Sequence, residues 1–193
     1  MSVIEYIILS FALAVPVMVS LRACALKTPI RLTRGLGVSF LLAVIHSALL
    51  LLGLFLGNRL RLGLPEYDNL FYLGLMLVVG VRMFFPAFSK KERPAFDISR
   101  WSVVLSLAVA TAINTLLVGL ALGFRVAFSD ELWKSAVPLF VVMFLLCYLA
   151  VMLGRRKKSL RERRWQLFAV LFLLIFAIKG AFFNVCKYFN NQV

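Results

Sequence analysis

The chain carries one histidine, His46, set in the run LAVIHSALLLLG (42–53) with apolar residues on nearly every side. A neutral imidazole offers one hydrogen-bond donor and one acceptor, ligates metals, and changes charge near neutral pH. Ser47 follows it directly. A second run, TAINT (111–115), supplies Thr111, Asn114 and Thr115. Thr111 and Asn114 are three residues apart, so one helical face carries both. Pro16 interrupts a third apolar run, FALAVPVMVS (11–20), where it frees the carbonyl of Ala12 and predicts a kink. These groups suit the binding of a small cation or polar solute. They do not suit covalent or acid–base chemistry, because no nucleophile–base pair or His/Asp/Glu constellation can be assembled at one depth. Cys24, Cys147 and Cys186 fall at separate levels and form neither a CxxC motif nor an evident disulfide framework.

The elements that hold these residues are set by composition. The chain has 193 residues, of which 63% are hydrophobic, and its mean hydropathy is +0.96. A soluble domain of this length cannot bury so much apolar surface, so the chain reads as an all-α integral membrane protein. Six apolar spans are predicted, at 3–21, 36–56, 70–85, 102–124, 136–153 and 166–183. Most approach the roughly 20 residues needed to cross a hydrocarbon core as helix. Each run is continuously apolar rather than alternating, which favours helices over a barrel. The first span is read as a retained helix: Glu5 stands where a signal peptide carries positive charge, and Arg22 falls within the SLRAC (20–24) stretch.

Basic residues sort by loop. The segments 22–34, 86–101 and 154–165 hold Arg22, Lys27, Arg31, Arg34, Lys90, Lys91, Arg93, Arg100 and the run RRKKSLRERR (155–164). The alternate loops hold only Arg59, Arg61, Arg125, Lys134 and Lys187. This asymmetry places the three basic loops in the cytoplasm and both termini outside, in a bacterial-type inner membrane. The net charge of +14 is thus membrane topology, with anionic lipid as the expected partner of the basic loops, and nucleic acid is not expected. A homo-oligomer is compatible with the sequence.

The chain also repeats itself. Shifted by 97, LFYLGLMLVVGVRMFF (70–85) lies over LFAVLFLLIFAIKGAF (167–182), with Arg82 over Lys179, and Gly57 falls over Gly154. Shifted by 98, Pro16 falls over Asn114. A repeat of three helices has an odd number of crossings, so the second copy enters from the other side. The expected domain is therefore one membrane unit, 1–193, made of inverted repeats at about 1–90 and 98–190. Transporters built this way place substrate near the midplane and rock one repeat against the other. The predicted pathway comprises Pro16, His46, Ser47, Thr111, Asn114 and Thr115, clustered between spans one, two and four, with His46 and Asn114 as the candidate metal ligands. The alternative for the same residues is hydrogen bonding between helices, worth roughly 0.6–2 kcal/mol each. Arg82 and Lys179, near span ends, are read as snorkelling structural charges or gating charges.

Three stretches carry a resemblance: TAINTLLVGLALGF (111–124), RGLGVSFLLAVIHSALLLLGLFLG (34–57) and LMLVVGVRMFF (75–85). Together they resemble the MntP manganese efflux proteins, six-helix inverted repeats related to the LysE-type exporters, over nearly the whole chain. The resemblance implies no catalytic chemistry and no resident cofactor, with Mn²⁺ or another divalent cation as cargo. It also implies intramembrane carboxylates in spans one, two and four, where this chain has Pro16, His46 and Asn114. Carboxylate and carbonyl oxygen suit Mn²⁺, whereas imidazole suits Zn, Cu, Fe and Ni. The expected function is an efflux transporter of a divalent cation with an altered central site. The alternatives are export of a small organic or neutral solute, and a non-transporting scaffold that keeps the fold.

Overall fold

A computed structural model describes residues 3–28, 30–63, 68–88, 96–125, 128–155 and 171. These residues form five α-helices: α1 (Val3–Lys27), α2 (Leu32–Gly63), α3 (Asp68–Phe88), α4 (Trp101–Arg125) and α5 (Phe128–Arg155). Four stretches are long and apolar enough to cross a membrane: Val3–Lys27, Leu32–Gly63, Trp101–Arg125 and Trp133–Gly154. α3 carries a shorter apolar stretch, Leu70–Met83. The sixth predicted span, with Lys179 and Cys186, lies outside the described residues.

The helices outrun their apolar segments. α2 has 32 residues, about 48 Å at 1.5 Å per residue, against a hydrocarbon core of about 30 Å. Its polar outer turns are held by side chains rather than by apolar burial. Arg59 stacks over the Phe55 ring, with its guanidinium 5.3 Å from the ring centroid. Arg61 pairs with Asp68 at 3.0 Å, joining α2 to the first turn of α3.

Packing directions follow from which residues meet. His46, Gly53 and Gly57 of α2 face Thr111, Gly119 and Gly123 of α4, so these two helices run parallel. Gly35 near the start of α2 meets Val151 near the end of α5, and Phe40 meets Phe140 edge-on, so α2 and α5 are antiparallel. Phe71 at the start of α3 stacks on Phe124 at the end of α4, with centroids 5.2 Å apart. α1 packs chiefly on α5 and meets α4 only sparsely. The start of α2, the start of α4 and the ends of α1 and α5 therefore share one side of the molecule. On that side Arg34 donates to the Ser99 carbonyl and lies over the Trp101 ring.

Buried residues of α2 recur as Gly35, Ser39, Leu42, His46, Leu50, Gly53 and Gly57. Steps of three and four place them on one stripe of the helix. That stripe is the face α2 turns inward, and His46 stands at its middle. The first helix continues through Pro16 without a break, and the Pro16 carbonyl accepts from the Ser20 hydroxyl at 2.9 Å. α1 is a packed part of the bundle, with Leu13, Ala14, Val17 and Leu21 all buried.

Candidate functional site

His46 is wholly enclosed, at 0% exposure. Its Nδ1 lies 2.8 Å from the Leu42 carbonyl one turn back on α2. A carbonyl only accepts, so Nδ1 carries the hydrogen and Nε2 presents its lone pair in the neutral ring. Nε2 lies 3.3 Å from the Thr111 hydroxyl of α4. That hydroxyl has nearer acceptors on its own helix, the Leu107 carbonyl at 2.8 Å and the Ala108 carbonyl at 3.1 Å. One hydroxyl proton faces three acceptors. When it goes to Leu107, the Nε2 lone pair is left without a donor, an arrangement that favours any cation able to reach it.

Two further polar atoms stand on the same helices. The Ser47 Oγ and the Asn114 Oδ1 are buried and have no hydrogen-bond partner. Buried unpaired oxygens of this kind cost roughly 1–3 kcal/mol and call for an explanation, such as a ligand or water. Thr115 is buried at 1% exposure. Pro16 sits on α1, whose main partner is α5, so the packing assigns it to a different pair of helices from His46 and Thr111. Arg82 is exposed on α3, as a snorkelling side chain would be. Among the described residues no three His, Cys, Asp or Glu side chains converge on a metal-sized site.

A groove of about 370 Å³ lies along the first turns of α4, lined by Phe96, Ser102, Val103, Ser106, Leu107 and Ala110. Ser102, Ser106 and Ala110 are exposed, and neither His46 nor Thr111 lines it.

Sequence reasoning marked Gly57 only for its place in the repeat and did not single out the glycines as the residues that set this geometry. Gly53 and Gly57 on α2, and Gly119 and Gly123 on α4, are each four residues apart. A Cβ on Gly53 would lie 2.8 Å from the Leu120 nitrogen, and one on Gly123 would lie 2.7 Å from the Asn58 nitrogen. Both would come closer still to a carbonyl oxygen of the facing helix, of Leu116 and Leu54 respectively. Only glycine allows two backbones this close, which is the small-xxx-small packing of membrane helices. The spacing was visible, but the identity of the facing helix was not.

A bundle of long apolar helices with a few polar groups enclosed between them defines a multi-pass membrane protein. Comparison makes the class specific. Residues 29–180 match the family described as "Putative manganese efflux pump", and the chain belongs to this family. Similar proteins include one named "Putative manganese efflux pump MntP" in Nitratidesulfovibrio vulgaris, 30% identical over 159 residues covering 80% of this chain and 75% of that protein. The MntP of Ruminiclostridium cellulolyticum is 26% identical over 186 residues, covering 93% and 95%. The MntP of Phocaeicola vulgatus is 27% identical over 147 residues, covering 74% and 75%. No solved structure matches the chain.

Proposed function

We propose that this chain exports a divalent cation across the cytoplasmic membrane, with His46 Nε2 as the principal contact to the cargo. The observation that carries this is the fixed tautomer: Leu42 takes the Nδ1 proton at 2.8 Å, leaving Nε2 as a lone pair facing α4. Metal-binding histidines are oriented in the same way, by donating the other ring nitrogen to a backbone carbonyl or carboxylate. Ser47 Oγ and Asn114 Oδ1 supply unpaired oxygens on the two helices that bracket the ring. Thr111 and Thr115 complete the polar segment of α4.

Neutral ligands set the preference. Imidazole with hydroxyl and amide oxygen suits Zn²⁺, Fe²⁺ or Ni²⁺ better than Mn²⁺, which favours carboxylate. The family's cargo is named as manganese, and this chain's site leans away from it toward cations that bind imidazole.

The scaffold reading is six spans in two inverted repeats, with the basic loops cytoplasmic and both termini outside. Helix packing supports it. A Cβ on Gly57 would press on the Leu120 carbonyl and stand 3.0 Å from the Gly123 Cα. A Cβ on Gly154 would stand 2.6 Å from the Ala25 Cβ and 3.2 Å from the Arg22 carbonyl. The sequence offsets carry Gly57 to Gly154 (97), Arg22 to Leu120 and Ala25 to Gly123 (98), so the two contacts are copies of one another.

A metal-tolerance assay tests the proposal. Expression in cells lacking their own exporter should raise tolerance to zinc, nickel or iron more than to manganese, and His46→Ala should abolish the gain. No gain for any metal, at confirmed membrane expression, would refute export of a divalent cation. Thermal stabilisation of the purified protein by amino acids and never by metals would move the cargo to organic solutes. A gain that survives His46→Ala combined with Asn114→Ala would leave the ring as a helix lock, the role its full enclosure also fits.

A further inference from the structure

We infer that the bodies that move in this protein are two helix pairs, α2·α4 and α1·α5, each drawing one helix from either half of the sequence, and that the polar site rides on the first. This rests on the transport reading for its purpose but on packing alone for its geometry. Rocking of one sequence repeat against the other, the expectation from inverted repeats, would have to part α2 from α4. Among the described helices, those two are the ones least able to part.

The reason lies in which atoms meet. Along α2·α4 the contacts are backbone to backbone: Gly53 against Leu116, Gly119 and Leu120; Gly57 against Leu120 and Gly123; Gly119 against the Leu50 carbonyl; Gly123 against Leu54, Asn58 and Gly57. A backbone has no rotamers, so such a seam has one register and cannot creep. His46 and Thr111 add a polar bridge on the same seam. α3 joins this body through the Phe71–Phe124 stack and through Arg125, which lies 5.2 Å from the Tyr72 ring centroid. Gly154 packs against Ala25 and the Arg22 carbonyl, so α1·α5 has the same kind of contact.

Between the two bodies the contacts change character. α2 meets α5 through side chains: Val151 over Gly35, and the Phe40 and Phe140 rings 5.8 Å apart at 86°. α1 and α4 touch only sparsely. Side chains can re-seat in new rotamers while backbones slide past one another, which is how packed helices shear. The seam between the pairs is therefore the place where motion is cheapest.

The two seams also differ in chemistry. The sequence offsets carry His46 to Met143 and Thr111 to Leu13, and both of these are buried and apolar. Imidazole and hydroxyl on one pair thus correspond to thioether and isobutyl on the other, so the polar site belongs to the α2·α4 body alone.

Distance measurements between spin labels in lipid nanodiscs test this without knowledge of the cargo. Labels go on exposed positions: Leu52→Cys (α2) with Val109→Cys (α4) within a body, and Leu52→Cys with Leu145→Cys (α5) between bodies. Cys24 and Cys147 are buried and stay in place, and Cys186 is replaced by serine. The 52–109 distance should be single, narrow and unchanged by added Zn²⁺. The 52–145 distance should show a second population displaced by about 2 Å or more, its share shifting with Zn²⁺. A divided 52–109 distribution overturns the inference, and so does a single 52–145 distribution in every condition, with or without flux. A divided 52–145 distribution in a protein that moves no metal would instead remove the transport reading and leave the two-body motion standing.

Discussion

Replacing Gly123 with alanine gives a measurable test of the α2·α4 seam. A Cβ at this position would stand 2.7 Å from the Asn58 nitrogen and 2.8 Å from the Gly57 Cα, whereas ordinary contact begins at 3.4 Å. The facing helix must therefore withdraw by at least about 0.7 Å. Every atom in the way is backbone, so no side-chain rotation relieves the clash. Overpacking of this kind costs about 1–3 kcal/mol. Alanine's higher helix propensity returns about 1 kcal/mol, so the net loss should be about 0–2 kcal/mol, and the difference from a glycine with open space around it about 1–3 kcal/mol. Gly74→Ala on α3 is the control, because nothing lies within 4 Å of its Cβ position. It keeps only the propensity gain and should be neutral or stabilising by up to about 1 kcal/mol. Unfolding in mild detergent, followed by Trp fluorescence, reads both variants. Gly123→Ala as stable as Gly74→Ala would show that the helices are not packed backbone to backbone, and the two-body account would fall with them.

Other outcomes follow from single contacts. Thr111→Val removes the bridge to His46 and should cost about 0.6–1.7 kcal/mol in the same unfolding assay; no loss would mean the 3.3 Å contact contributes nothing. Arg34→Ala removes the guanidinium lying 5.5 Å from the Trp101 ring centroid and should cost about 0.5–1 kcal/mol. It should also change the Trp101 emission, whereas Arg34→Lys should restore part of it. The Asp97 carboxyl accepts from the Ser99 backbone amide at 2.9 Å, and hydrogen bonds from Ser99, with Arg100 and Arg34 nearby, hold its pKa below the ordinary 3.8. A depressed carboxylate pKa contributes stability above the unfolded value and loses it as pH falls through the folded value. Trp101 emission should therefore be flat from pH 8 to 5 and change only below 3.8; a transition near pH 5 would contradict the assignment.

Much of the architecture was legible because continuous apolar runs in a basic chain leave few options. Helix ends were less so. α2 starts four residues before its predicted span and ends seven after it, since Arg59 and Arg61 find an aromatic face and a carboxylate instead of ending the helix. α5 begins at Phe128 rather than 136, because its polar first turns continue the helix beyond the apolar stretch. At the site, His46 was marked by its rarity, and Thr111 by its polarity in an apolar helix. Their contact was not readable, since periodicity gives a residue's face but not what that face meets. Pro16 was grouped with them by depth, by its repeat offset to Asn114 and by the resemblance, and helix packing sets its helix chiefly against α5. The glycine pairs were in plain view at intervals of four, yet only the three-dimensional packing discloses that they face one another across α2 and α4.

The most direct test is metal flux into inside-out vesicles or proteoliposomes, measured for Zn²⁺, Ni²⁺ and Mn²⁺ on wild type, His46→Ala, His46→Glu and Arg82→Ala. Wild type should move Zn²⁺ or Ni²⁺ faster than Mn²⁺, and His46→Ala should reduce flux of all three by at least about tenfold, the effect of about 1.4 kcal/mol. His46→Glu should shift the preference toward Mn²⁺, and exposed Arg82→Ala should leave flux unchanged. Flux that is indifferent to His46, or absent for every metal from correctly inserted protein, would contradict the account.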